Sequence, residues 1–296
     1  MATSSTSATA AEKVAGGFQF LEGPVWVPAR DELLFSDIPA SRIYRWKDGR
    51  VEVFCEPSGQ ANGNTLDPQG RLVTCEHENR RISRTELDGR VVALATHYEG
   101  KRLNSPNDVV CRSDGSVYFS DPPYGVKPEL RELNFQGVFR VSPVGRGGLT
   151  APSEADNGGL GQPALPQISL LAKDFLKPNG LAFSPDEKIL YIADTELGHI
   201  RAFDVNADGT IANSRVFCRV ERPDGFRVDV EGGLYICAMK SVEIFDRTGK
   251  KCGDITLPER PANVAFGGPD RQTLYICART SLYRARVNVP GAGILH

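Results

Sequence analysis

One short phrase recurs six times along this chain of 296 residues, and it constrains the fold more than any other feature. Asn179-Gly180-Leu181 opens a stretch that runs through Ser184-Pro185-Asp186 to Leu190-Tyr191-Ile192-Ala193-Asp194. The same frame starts at Glu22, Asn62, Asn107, Asp224 and Asn263. It ends 14 or 15 positions on, at Asp37, Glu76, Asp121, Ala238 and Ala278. Each copy holds two strand-like runs, and a lone sheet of this kind could not bury its own two faces. Repeats of roughly 40–50 residues with this content stack as the blades of a propeller. The chain is therefore expected to be all-β, a six-bladed β-propeller forming one domain over residues 13–290.

The starts are spaced 40, 45, 72, 45 and 39 apart. The one long gap holds a Gly- and Pro-rich stretch, 145–167, between Gly137-Val138-Phe139-Arg140-Val141 and Ile168-Ser169-Leu170-Leu171-Ala172. It reads as a surface insertion in the third blade. Asp48-Gly49 supplies the positive φ that a tight hairpin between third and fourth strands needs. The last unit offers only three strands, ending at Ser281 to Val287, while the run from Lys13 to Phe20 has no other partner. The expectation is an N-terminal strand that completes the last blade and closes the ring, which removes exposed sheet edges.

Composition excludes several classes. Formal net charge is −2 with no basic block, so nucleic acid and anionic membrane are poor partners. No apolar run approaches the roughly 18 residues of a membrane span. Residues 1–12 are small and polar without the apolar core of a secretory signal, and read as a disordered lead. Seven cysteines contain no CxxC pair. Cys237 and Cys277 lie in apolar strands and read as small buried hydrophobes of a reducing, cytoplasmic setting. A monomer or weak homodimer is expected.

Innermost propeller strands run along the channel in one direction, so equivalent positions lie at one level around it. Glu22, Asn62, Asn107, Asn179, Asp224 and Asn263 should form a polar ring at one mouth. Asn and Asp also begin strands because they favour turns, but six copies, with Gly next in four, point to a common use. Carboxylates and amides in a confined channel need partners. A hard divalent cation supplies them, since such ions take oxygen ligands. Absence of His and Cys from the ring argues against a dedicated zinc site. The acids closing the frame, Asp37, Glu76, Asp121 and Asp194, read as turn or solvent residues. His77, at a strand end, and Tyr124, beside Pro122-Pro123, are candidate substrate contacts at the mouth.

Leu21-Glu22-Gly23-Pro24-Val25-Trp26, Ser105-Pro106-Asn107-Asp108, Lys177-Pro178-Asn179-Gly180-Leu181 and Arg222-Pro223-Asp224-Gly225 resemble the signatures of the SMP-30/gluconolactonase/LRE family. The resemblance extends from about Phe20 to Val287. Arg102-Leu103-Asn104-Ser105-Pro106-Asn107-Asp108 and Asp121-Pro122-Pro123-Tyr124-Gly125 are most similar to its bacterial gluconolactonase branch. The resemblance implies a metal-dependent hydrolase that opens a sugar lactone, gluconolactone-like, in carbohydrate metabolism. It implies one divalent metal on Glu22, Asn179 and Asp224, with Asp224 also the general base and Asn107 facing substrate or water. Ca²⁺ is the first choice, with Mg²⁺, Mn²⁺, Fe²⁺ or Zn²⁺ able to substitute. The animal branch carries an Arg two positions before that Asn, where this chain has Ser105. Arg102, three residues earlier, is the candidate in its place. Two other readings stay open: a related metal propeller hydrolase on other lactones, esters or phosphotriesters, and a non-enzymatic binding module. The carboxylates in the ring argue against the last, since a binding platform has no need of them.

Overall fold

The computed structural model describes residues 8–143 and 166–293. Six four-stranded antiparallel sheets follow one another along the chain. The first blade is Leu21–Val27, Glu32–Asp37, Arg42–Lys47 and Arg50–Cys55, ordered from the channel outward. The same order holds in the others, whose innermost strands are Ala61–Leu66, Val109–Cys111, Pro178–Phe183, Phe226–Val228 and Pro261–Gly267. Each innermost strand touches the innermost strand of the next blade, and the sixth touches the first. The ring is closed, as the repeat requires.

Ring closure uses the N-terminus. Glu12–Gly16 pairs antiparallel with Ser281–Arg286, with Glu12 opposite Arg284 and Gly16 opposite Ser281. The sixth blade is thus built from both ends of the chain. Residues 1–7 of the expected lead lie outside the described residues. From Ala8 the backbone already runs beside the last blade, with Ala8 bridging Val287 and the Thr9 amide on the Arg286 carbonyl at 2.9 Å. Past Arg286 the chain continues to Gly291, which bridges Asp229 of the fifth blade.

Burial along the strands explains their sequences. Second strands such as Glu32–Asp37 and Val117–Asp121 are buried at every position, being covered on both faces. Their apolar centres, Leu33-Leu34-Phe35 and Val117-Tyr118-Phe119, give way to Ser-Asp at the mouth end. Outermost Arg50–Cys55 is mostly exposed. The core divides into six clusters, one at each junction between neighbouring blades. Phe119 and Phe139 meet Val73 and Ile82 between the third and second blades. Leu21 and Phe35 meet Tyr275 and Leu282 where the first joins the sixth. The other four junctions are filled in the same way. Every blade therefore buries its faces against its neighbours, at roughly 25 cal/mol per Å² of apolar area.

Asp48 and Gly49 both take positive φ, 49° and 76°, in a two-residue turn between Lys47 and Arg50. Most of the 145–167 insertion lies outside the described residues. The Ser142 amide, just before it, donates to the Gln167 carbonyl at 3.0 Å. Cys237 and Cys277 are fully buried, and burial pushes both thiols far up, so neither is a thiolate nucleophile. Among the described residues no helix is long and apolar enough to cross a membrane.

Candidate active site at the channel mouth

The six ring positions stand at or just before the start of their innermost strands. In the blades of Glu22, Asn62, Asn179 and Asn263 the pairing register shifts at that point. Such irregularities turn a side chain out of the pleat, and here they occur where a side chain must be aimed into the channel. Glycine follows the ring residue in four blades; in three of them the next blade's backbone passes there, and at Gly225 the Asn263 side chain does. A Cβ on Gly63 would stand 2.6 Å from the Asn107 carbonyl oxygen, and one on Gly180 would stand 2.5 Å from the Asp224 carbonyl oxygen. The third blade breaks the pattern with Asp108, a charged side chain that is 1% exposed.

Three carboxylates consequently share the channel. Glu22 Oε2 accepts the Gly23 amide at 2.8 Å and Asn263 Nδ2 at 3.0 Å. Asn263 Nδ2 also lies 3.4 Å from Asp108 Oδ2, and so bridges the two acids. Burial, and then the charges of Asp224 and Asp108, raise the proton affinity of Glu22 well above that of an ordinary carboxylate. Asp224 is raised too, by burial first. Arg260, 3.5 Å from its Oδ2, and the Asn179 amide pull the other way. Asp108 is likewise raised by burial and eased by Arg227 Nη1 at 3.5 Å. Glu22 and Asp108 are buried, and Asp224 is partly exposed, its side chain 15% accessible. These three acids and two guanidiniums at longer than ideal contact make a site short of positive charge.

Asn179 is oriented by a network. Its Nδ2 donates to Thr195 Oγ1 at 3.1 Å, and that hydroxyl donates to the Pro223 carbonyl at 2.7 Å, immediately before Asp224. Committing Nδ2 leaves the amide oxygen as the atom that Asn179 can offer a cation. Asn62 Nδ2 lies 3.0 Å from His77 Nε2, while Asn62 Oδ1 is buried without a partner. Among the described residues no group of three or more His, Cys, Asp and Glu side chains forms a metal cluster. The expected set reaches three donors by counting the Asn179 amide. Oxygen-only donors, mutually repelling carboxylates and a deficit of positive charge fit a hard divalent cation at Glu22, Asn179 and Asp224.

The remaining candidates divide. Asn107 is 6% exposed, and both its backbone groups are used: its amide donates to Ser120 O at 2.8 Å and its carbonyl accepts the Gly63 amide at 2.9 Å. Tyr124 reaches over from the third blade, its hydroxyl near Thr195 and Asn179 and its ring under Lys177 Nζ at 4.9 Å. His77 is 5% exposed and packed beneath the same loop, where a Cβ on Gly125 would stand 2.8 Å from its own Cβ. Burial holds its imidazole neutral, its pKa lowered to about 4. Arg102 Nη2 donates to the Asn79 carbonyl at 3.0 Å, in the loop that follows His77.

The acids that close the repeat frame are not solvent residues. Asp37, Glu76, Asp121 and Asp194 are all buried, with exposures of 1%, 4%, 0% and 0%. Asp37, Asp121 and Asp194 each take amides lying 16 to 18 positions earlier, a separation that carries no local signal. Glu76 pairs with Asn79 and Arg81. Asp194 also fills the expected turn role by accepting the Glu196 and Leu197 amides at 3.2 and 3.1 Å. Asp108 could have been found as the acid standing where four other repeats carry Gly. Arg227 and Arg260 had no sequence signal.

Comparison with known proteins identifies the family and agrees with the fold. Residues 20–280 match the SMP-30/Gluconolactonase/LRE-like region. The chain is 32% identical over 316 aligned positions to the gluconolactonase of Zymomonas mobilis, covering 96% of this chain and 83% of that one. XC5397 from Xanthomonas campestris, a gluconolactonase of known structure, superposes with a TM-score of 0.82 at 34% identity, covering 95% of this chain and 90% of its own. Regucalcin of Sus scrofa is 27% identical over 287 positions, covering 88% of this chain and 84% of that one. The chain belongs to the SMP-30/gluconolactonase/LRE-like family.

Proposed function

We propose that this family member is a lactonase that opens a gluconolactone-like sugar lactone to its aldonic acid, using a divalent cation, Ca²⁺ by first choice, held by Glu22, Asn179 and Asp224. The observation that carries the reading is the pair Glu22 and Asp224, two carboxylates of raised proton affinity at one mouth with the Asn179 amide beside them. Similarity over nearly the whole chain to gluconolactonases supports the substrate class.

The chemistry follows from what a lactone needs. Water adds to the ester carbonyl carbon, the ring C–O bond breaks, and the departing ring oxygen takes up a proton. When bound, a divalent cation would polarise the carbonyl and offset charge on the tetrahedral oxyanion. In this reading Asp224 takes the proton from water and returns it to the ring oxygen. Its environment suits that use, because burial raises its basicity while Arg260 keeps the ionised form within reach. Asn107 orients the substrate or the attacking water from the third blade. Tyr124 and Lys177 form the rim above Asn179 and limit access of bulk water. Arg102 and His77 are assigned to substrate only through the loops they support.

The experiment is a pH-stat hydrolysis panel of aldonolactones, acyl-lactones and organophosphates, run with and without chelator. Turnover of aldonolactones that is lost in chelator and restored by Ca²⁺ is expected. Hydrolysis that favours phosphotriesters would move the reading to the related hydrolase class, and full activity in chelator would remove the metal.

A further inference from the structure

The six repeats are alike in their ring position and unlike in how it is held. In the first, third and fourth blades the second strand ends in an Asp whose two oxygens take two consecutive backbone amides from the loop ahead of the ring residue. Asp37 accepts the Gln19 and Phe20 amides, each at 3.0 Å. Asp121 accepts those of Asn104 and Ser105 at 2.7 and 2.8 Å. Asp194 accepts those of Leu176 and Lys177 at 2.8 and 3.2 Å. In each blade the donors are the third and second residues before the ring residue, which is Glu22, Asn107 or Asn179. In the second blade the longer Glu76 turns to Asn79 and Arg81 instead. The fifth and sixth blades have Ala238 and Ala278 at this position.

We propose that Asp37, Asp121 and Asp194 are positioning residues of the channel site, each fixing the entry loop that sets its ring side chain at the mouth. The proposal rests on the function proposed above for the roles of those ring residues. Its distribution is the argument. Clamps stand behind Glu22, Asn107 and Asn179, and none stands behind Asn62 or Asn263, which have no part in the proposed reaction. Asp224 is reached from the fourth blade instead, through the Thr195 hydroxyl on Pro223, one residue past the Asp194 clamp. Each clamp is stiff because opening it would leave two amides unpaired and, for Asp37 and Asp121, strip a buried carboxylate of its amide donors. Asp194 Oδ1 also takes the Glu196 and Leu197 amides at 3.2 and 3.1 Å, which ties the same carboxylate to the turn that follows.

The test compares Asp37→Asn, Asp121→Asn and Asp194→Asn with Asp229→Asn. Asp229 takes two amides, of Glu231 and Gly233 at 2.9 and 2.8 Å, but at the other end of its strand. Calorimetry with Ca²⁺ alone should show Asp37→Asn and Asp194→Asn weakened on the order of 10–100-fold, as expected for residues that orient ligands. Asp121→Asn should bind Ca²⁺ like the wild type and lose kcat/KM on a lactone. Asp229→Asn should lower Tm alone. Wild-type Ca²⁺ affinity in Asp37→Asn and Asp194→Asn, at a Tm loss matching Asp229→Asn, overturns the proposal. Where an Asn variant does not fold, Asp194→Glu serves, since Glu76 shows that a longer acid does not take these amides. A wild-type chain that binds no divalent cation removes the metal reading. The clamp is then decided by Asp121→Asn against Asp229→Asn in lactone kinetics, and equal values overturn it.

Discussion

Asn179 donates its side-chain Nδ2 to the hydroxyl of Thr195 at 3.1 Å, and this contact decides which end of the amide the channel can use. Thr195 cannot return the donation, because its proton goes to the Pro223 carbonyl at 2.7 Å. One hydroxyl therefore orients a candidate ligand from its own blade and ties down the residue before Asp224 in the next.

Removing that hydroxyl should act on the site more than on the fold. Thr195→Val keeps the shape, removes one of the partners of the Asn179 amide and takes the donor from the Pro223 carbonyl. The cost is about 1–3 kcal/mol of stability, together with a loss of Ca²⁺ affinity on the order of tenfold or more. Thr195→Ser should restore most of the affinity. Calorimetry and thermal unfolding of the two variants check this, and equal Ca²⁺ affinity in Thr195→Val and wild type refutes it.

Roles within the ring separate by substitution. Asp224→Asn keeps size and one coordinating oxygen but removes charge and basicity, and kcat should fall by roughly 10²–10⁴ with the fold intact. Glu22→Gln should act through metal affinity, so added Ca²⁺ should partly rescue it. Asn107→Ala should leave the cation bound and raise KM or lower kcat. If Asn107→Ala loses Ca²⁺ as badly as Glu22→Gln, the set of three protein ligands is wrong.

The fold was legible because a closed ring repeats its solution. The six-fold frame marks Glu22, Asn62, Asn107, Asn179, Asp224 and Asn263 as one ring, and the resemblance to a known family singles out Glu22, Asn179 and Asp224 among them. The missing strand of the last unit pointed to Glu12–Gly16. What the frame hides is whatever differs between blades or acts across them. Asp108 meets Arg227 from two blades away, and Arg260 lies 36 positions from Asp224. Asp121 holds Ser105 across 16 positions. Long-range pairs of this kind leave no periodicity, so the electrostatic balance of the mouth appears only once the ring is assembled.

Close approach of innermost strands gives a further test. The Gly63 amide donates to the Asn107 carbonyl at 2.9 Å, and an added Cβ would meet that oxygen at 2.6 Å. Gly63→Ala should cost about 1–3 kcal/mol through overpacking and raise KM by displacing Asn107. Unchanged Tm and KM would show that the second and third blades yield more easily than this geometry requires.

The last prediction concerns pH. His77 lies beneath the Tyr124 loop with Nε2 toward Asn62 Nδ2, and burial lowers its pKa to about 4. An unfolded histidine titrates near 6.5, so between these values the unfolded chain binds more protons. The stability tied to neutral His77 is therefore complete above about pH 6.5 and is lost as pH falls. The loss reaches roughly 3 kcal/mol by pH 4 at 1.36 kcal/mol per pH unit. Asp121 works in the opposite sense. Burial raises it to about 7, so its ionisation costs the folded state more as pH climbs from the ordinary aspartate range. The wild-type curve sums the two, and only a difference isolates His77. Denaturant unfolding of wild type and His77→Gln at pH 7.5, 5.5 and 4.5 should show a gap that shifts in favour of the variant as pH falls. A gap independent of pH would mean that His77 is hydrated and protonates freely in the folded protein.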